Sequence, residues 1–443
     1  MAAQCGGRHP GGVPARWRGG NDRLDHRLRA YLWHAVLRTL SRGFDGRGLR
    51  PTSVDRTVMR RVTKAIPGIL FDFSGIRTGG GVQLALNFLD SVFSREWPGV
   101  RLFVLLPDSG ELARYPLKIP ASHQLRCPSA LLHRAWFERT TLQSFIRANG
   151  IVVIKTLFGA GLPHGRDVTS VVGVAYPIIC YPESPYWRYL PWRAAMRQRI
   201  KNAVRRRRLL AADRVLVETP VMQRRISAHC GLAMARVAVM PPAPSDYLRA
   251  SSREYPVAAP LTFLFLSGAS PHKNLWRLPA VANYLIAAGA TGCFRFLISC
   301  ERGALARELN EHALAAAHFD FRGAVASRDI QTLYDEAHVM VNLSDLESFS
   351  NNYMEAWKAR VPLLVSDRDF ARGICGESAV YCEPHDVEQV ATRMLAFLRG
   401  EVDVHRLVSN GAARLRQLGN QDRRMDHIRA LLLSCVAGGD AAC

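Results

Sequence analysis

Acidic residues are scarce in this 443-residue chain: 37 Asp and Glu stand against 59 Lys and Arg, for a formal net charge of +22. That imbalance asks for an anionic counterpart, and nucleic acid, anionic lipid and phosphorylated substrate all fit it. Long hydrophobic runs are missing too. No stretch approaches the roughly 18–20 apolar residues that a membrane span needs. The opening stretch, Met1 to Gly20, is rich in Gly and Arg and lacks an apolar h-region, so no secretory signal is expected. The ten cysteines, at positions 5, 127, 180, 230, 293, 300, 375, 382, 435 and 443, form neither a CxxC pair nor a metal-ligand spacing. They read as reduced, mostly buried thiols, which favours a cytoplasmic location over a disulfide framework and suggests no metal site.

What is present is apolar material in short pieces. Hydrophobic residues make up 48% of the chain, enough for two α/β cores. Residues 1–58 read as a basic extension, expected to be poorly ordered, with a candidate amphipathic helix at Leu24–Leu40. This segment is either a membrane-surface arm or an addition ahead of a natural start at Met59. Strand candidates follow at Ile66–Phe71, Arg101–Leu106, Ile151–Ile154, Thr169–Gly173, Arg214–Val217 and Val237–Met240. Helical patterns lie between them at Val82–Phe93, Arg134–Ala148, Arg193–Ala211 and Pro220–Cys230. After the Pro-rich break at Met240 the rhythm restarts. Strands are expected at Leu261–Leu266, Phe294–Ser299, Phe319–Phe321, Val339–Val341 and Pro362–Val365, and helices at Leu275–Ala288, Ala304–Ala317, Asp329–Ala337, Asn352–Ala359 and Val387–Leu398. Such alternation means two doubly wound, Rossmann-like domains, 59–245 and 246–403, followed by a helical tail at 404–443. Ligands of open α/β sheets bind beyond the strand carboxyl ends, so the cleft between the domains is the expected site.

Two constellations in the second half carry chemistry. The first is Ser267-Gly268-Ala-Ser-Pro-His-Lys273-Asn274, a small-residue loop between a strand and a helix. There a lysine can meet a diphosphate, helped by the helix N-terminus; a surface lysine beside a turn fits the same residues. The second is Asp345-Leu-Glu347-Ser348-Phe349-Ser350-Asn351-Asn-Tyr-Met-Glu355-Ala. On one continuous helix the two glutamates would be turned by about 80° and separated by about 12 Å. That is too far apart for an acid/base pair on one bond, which needs roughly 5–9.5 Å. With the helix starting near Asn351, Glu347 lies on the preceding loop and Glu355 on the second turn. The backbone amides of Phe349, Ser350 and Asn351 form a phosphate-binding helix start. A capping-turn acid and an ordinary helix-surface acid explain the spacing equally well.

Taken in order, these residues resemble the family 4 glycosyltransferases of the GT-B fold. The resemblance runs through Lys273-Asn274, Asp335-Glu-Ala-His-Val-Met-Val-Asn-Leu-Ser344, Glu347-x7-Glu355-Ala and Val361-Pro-Leu-Leu-Val-Ser-Asp. It continues through Ile374-Cys-Gly-Glu-Ser-Ala-Val-Tyr-Cys-Glu-Pro-His-Asp386. It implies a retaining, metal-independent hexosyltransferase with no cofactor beyond its nucleotide diphosphate-sugar substrate. Lys273 would bind donor phosphate, Glu347 the transferred sugar and Glu355 the ribose. The acceptor would be a lipid-linked or cell-envelope glycan, as in polysaccharide or lipopolysaccharide biosynthesis. The family often carries an arginine just after the loop glycine; here Ala269 and Ser270 follow Gly268. Either His272 or another basic side chain compensates, or the phosphates are held more weakly.

In the first domain Gly79-Gly80-Gly81-Val-Gln resembles the family's glycine-rich loop near phosphates and acceptor. Tyr176 either approaches the anomeric centre or packs beside Pro177. The basic run Arg193, Arg197, Lys201, Arg205 borders an apolar stripe of Trp192, Met196, Ile200 and Val204. It reads equally as a peripheral helix on an anionic membrane, at the inner face of the plasma membrane, or as a domain helix packing that stripe inward. A GT-B phosphorylase or nucleotide-sugar epimerase is the rival enzyme reading. A basic nucleic-acid-binding protein is the distant one, disfavoured because no aromatic platform interleaves the charges.

Overall fold

The computed structural model describes residues 66–77, 80–117, 119–244, 248–250, 254–255 and 260–438. The extension 1–58 and its candidate helix at Leu24–Leu40 lie outside the described residues. Residues from Ala65 onward form one compact unit.

The first sheet has seven strands: β1 (Gly68–Asp72), β2 (Arg101–Pro107), β3 (Gln124–Cys127), β4 (Ile151–Thr156), β5 (Thr169–Val174), β6 (Arg214–Val217) and β7 (Val237–Val239). Their order is β3-β2-β1-β4-β5-β6-β7, and every pairing is parallel. The second sheet holds β8 (Leu261–Phe265), β9 (Phe294–Ile298), β10 (Phe319–Phe321), β11 (Val339–Asn342), β12 (Leu363–Ser366) and β13 (Ala379–Cys382). Its order is β10-β9-β8-β11-β12-β13, again all parallel. Parallel sheets are covered on both faces, so their inner strands are continuous apolar runs; β1, Gly-Ile-Leu-Phe-Asp, is buried throughout. This is the doubly wound architecture the alternation implies.

The strand order reverses between β1 and β4 in the first sheet and between β8 and β11 in the second. These are the two switch points where loops part and leave a crevice. Crowding fixes one residue close by: a Cβ on Gly173 of β5 would overlap the Leu157 carbonyl oxygen after β4.

Six elements differ from expectation. β3 and β13 escape the hydrophobic pattern, as do the short helices Glu111–Arg114 and Asp369–Cys375. The expected helix Arg134–Ala148 is two helices, Leu131–Arg139 and Thr141–Ala148, broken at Thr140. The expected helix Ala304–Ala317 is α-helical only over Ala306–Glu311, with 3-10 turns on either side.

The tail consists of two helices, Val404–Leu418 and Gln421–Val436. The first lies on helix Asn351–Lys358, with Gly411 against the Trp357 ring. The second returns to the first sheet, where Met425, Ile428, Leu431 and Leu432 join the core around Ile69, Phe71 and Val153. Among the described residues no helix is long and apolar enough to cross a membrane. The eight described cysteines are all free thiols.

Candidate functional site

The second sheet's switch point brings the two constellations together. The loop after β8 carries Gly268, Lys273 and Asn274, and the loop after β11 carries Asp345, Glu347 and Ser348. Because β8 and β11 are neighbours, residues 74 apart in sequence meet, and the Lys273 ammonium pairs directly with the Glu347 carboxylate.

Asp345 sets this geometry. Its side chain is fully shielded from solvent and accepts from Asn274 Nδ2 (2.9 Å), Tyr189 Oη (3.2 Å) and Arg368 (3.3 Å). His385 Nε2 lies 2.8 Å from it. Asn274 also donates to the Leu343 carbonyl (2.8 Å), and the Asp345 amide donates to the His272 carbonyl (2.8 Å). Both loops are thereby pinned to each other. Asn274 takes a left-handed backbone (φ 58°), a conformation asparagine tolerates better than most residues. It turns the chain so that Lys273 faces the crevice.

Helix Asn351–Lys358 starts where the spacing requires, so Glu347 is on the loop and Glu355 on the second turn. Glu355 is buried and accepts from Tyr334 Oη (3.2 Å). This corrects the reading of it as an ordinary surface acid. Ser350 precedes the helix without capping it through its side chain; its Oγ instead accepts from Asn342 Nδ2 (2.9 Å). Asn352 ties the same helix to the Leu266 carbonyl at the end of β8 (2.8 Å). Phe349 packs at the edge of the large core shared by the two sheets.

Burial, reinforced by the adjacent Lys273 charge, pulls the His272 pKa down to about 4, which disfavours the charged ring that would stand in for the missing loop arginine. Its buried Nδ1 has no partner among the described residues. Gly268 has no neighbour within 4 Å of a built Cβ and no positive φ. Nothing in the chain's own packing requires glycine there.

The first domain faces this site with residues the sequence pattern passed over. Ser348 Oγ donates to Glu218 (2.7 Å) beyond the end of β6. Burial pushes the Glu218 carboxyl up to about 7, against the lowering effects of Ser348 and Arg424. Lys155, at the end of β4, is buried, and with the Arg424 charge nearby its pKa falls to about 7. Ser184 Oγ donates to the Asp345 carbonyl (3.2 Å), and the Tyr186 ring stands edge-on to His272.

Gly81 lies in helix Gly80–Phe93 with ordinary Cβ clearance and no positive φ. Glycine is therefore not demanded there by strain; Gly79 is outside the described residues. Tyr176 is a packing residue: its hydroxyl donates to the Gly159 carbonyl (2.8 Å) and its ring lies under Arg205. Among the described residues no group of three or more His, Cys, Asp or Glu is placed to hold a metal ion.

Two facing Rossmann-like domains with the last helix crossing back define the GT-B fold, and solved structures agree. Sucrose-phosphate synthase from Thermosynechococcus elongatus is similar at a TM-score of 0.63 and 15% identity, covering 84% of this chain and 100% of that one. The lipopolysaccharide outer core galactosyltransferase WaaB is similar at 0.59 and 12%, covering 83% and 99%. Anabaena HepE, solved with UDP and glucose, is similar at 0.58 and 14%, covering 83% and 99%. Residues 260–400, the domain holding Lys273, Glu347 and Glu355, match the family described as Glycosyl transferases group 1. No curated protein matches the chain.

Proposed function

We propose that the chain is a retaining glycosyltransferase of family 4 type, moving a hexose from a nucleotide diphosphate-sugar to a glycan or lipid-linked acceptor. The observation that carries this reading is the meeting of Lys273 and Glu347 at the switch point, with buried Glu355 on the following helix. A donor entering there exchanges the ion pair for two new contacts. The ammonium takes the diphosphate, and the carboxylate takes hydroxyls of the sugar. Glu355, further along the helix, takes the ribose hydroxyls, and the start of the helix adds amide donors at the phosphates. Gly268 leaves the room that close approach of a phosphate needs.

In the reaction the anomeric carbon–phosphate bond breaks and the acceptor oxygen bonds to the same face of that carbon. The departing diphosphate gains charge, which Lys273 and the amides stabilise electrostatically. A donor phosphate oxygen accepts the acceptor's proton, so no protein nucleophile and no metal are required. The group 1 match, the galactosyltransferase neighbour and the neighbour solved with UDP and glucose support this reading over a phosphorylase or an epimerase.

The products test it. NMR of the glycoside formed should show the donor's anomeric configuration, and a free sugar phosphate or an isomerised donor as the product would favour the rivals. An inverted product, or a glycosyl-enzyme adduct trapped by mass spectrometry, would contradict the same-face mechanism.

A further inference from the structure

Helix Trp192–Ala211 is amphipathic in the reverse sense. The side it turns to the protein is largely polar. Asn202 donates to the Ile178 carbonyl (3.1 Å), Gln198 donates to Asn202 (2.9 Å), and Arg205 covers the Tyr176 ring. Only Leu209 is fully buried. The side it turns outward is apolar: Trp192, Met196, Ile200 and Val204 are 73%, 50%, 38% and 48% exposed. At 100° per residue these four follow one another along a single strip. The reading in which this stripe packs into the domain is therefore wrong.

Charge identifies what covers the strip. The helix holds eight basic residues and no acidic one. Arg193, Arg197 and Lys201 run along one side of the apolar strip, and Arg199 and Arg207 along the other, all exposed. The Arg193 guanidinium lies over the Trp192 ring. An apolar ridge between two cationic rows matches an anionic bilayer, with aliphatic chains below the headgroups and phosphates beside them. A tryptophan at one end suits the interface. A second copy of the chain would set cations against cations, and a nucleic acid would leave the aliphatic ridge in water. Helix Leu131–Arg139, joined to the basic helix through Arg208–Glu138 (2.6 Å), exposes Leu131, Leu132 and Trp136 as well. Much of the first domain's exposed apolar surface is thus on these two helices.

We propose that the outward face of helix Trp192–Ala211 docks this protein onto an anionic lipid surface, with Trp192, Met196, Ile200 and Val204 inserted between rows of arginine and lysine. The inference does not depend on the reaction proposed above.

The test is sedimentation of the full chain with vesicles of phosphatidylcholine alone and of phosphatidylcholine containing 30 mol% phosphatidylglycerol. Three forms would be compared: the parent, Met196→Ser/Ile200→Ser, and Arg193→Gln/Arg197→Gln. Binding is expected only to the anionic vesicles, and it should weaken in high salt. Partitioning should fall by more than about ten-fold in the arginine pair, and it should also fall in the apolar pair. All of these side chains are exposed, so both variants should melt like the parent. Three results would overturn the proposal. One is no binding to anionic vesicles by folded protein. Another is binding that both variants retain in full. The third is a concentration-dependent dimer, abolished by the apolar pair, in a protein that ignores vesicles.

Discussion

Asn274, Tyr189, Arg368 and His385 reach Asp345 from separate places in the chain, between 23 and 156 residues away in sequence. The carboxylate is wholly shielded, so its negative charge is balanced by these partners rather than by water. Asp345→Ala would leave a buried void beside the Arg368 guanidinium, which keeps Glu383 as its partner, and would strip one anchor each from Asn274, Tyr189 and His385. A loss of about 3 kcal/mol in urea unfolding is expected, with weaker donor binding even though Asp345 is set back from the crevice. Asp345→Asn keeps the volume and should recover part of the stability. That Lys273 and Glu347 would meet, with Glu355 on the helix that follows, was legible in the sequence because each sits in a short stretch whose order is distinctive. Asp345 lies two residues from Glu347, yet its role was not legible, since its partners are assembled only by folding. The charge of His272 was hidden for a similar reason, because burial decides it.

At the scale of elements, strands buried on both faces announce themselves as apolar runs, and most of the expected strands fall within a residue or two of their observed limits. The two that escaped, β3 and β13, are both sheet-edge strands. Gln124-Leu-Arg-Cys127 and Ala379-Val-Tyr-Cys382 are only partly buried, so neither needs an unbroken hydrophobic sequence. The reversed amphipathicity of helix Trp192–Ala211 was also beyond sequence reasoning, because a period shows that a stripe exists and not which way it faces. Glycine in a strand carries a different signal. In β5 the Leu157 carbonyl occupies the space a side chain would need, so Gly173→Ala must push β5 away from the loop after β4. A melting study should show a loss of about 1–3 kcal/mol. Gly268→Ala, in open space, should leave the melting temperature within error and weaken donor binding instead.

At the scale of the whole molecule, Glu218–Ser348 is one of several polar links between the two domains, alongside Ser184–Asp345, Tyr189–Asp345 and Arg225–Asp369. The Glu218 carboxyl has a pKa raised from about 4.5 to about 7 by burial, so the folded protein binds that proton more tightly than the unfolded chain. The stability it contributes is full below about pH 4.5 and is lost as pH rises through about 7. Lys155 has the opposite sign. Its pKa is lowered from 10.5 to about 7, so its contribution is full above about 10.5 and is lost as pH falls through about 7. Denaturation profiles should show Glu218→Gln removing a decline between pH 4.5 and 7, and Lys155→Met removing a rise above 7. Unchanged profiles would mean that water reaches both groups. The central claim, that the second domain's switch point holds a nucleotide diphosphate-sugar, is tested most directly by calorimetric titration. UDP-, GDP-, ADP- and dTDP-sugars would be titrated into the parent protein and into Lys273→Ala. The account predicts one preferred nucleotide and a loss of at least about ten-fold in affinity in the variant, from a missing charge-assisted contact. Folded protein that binds none of the four, or a variant that binds as tightly as the parent, would contradict it.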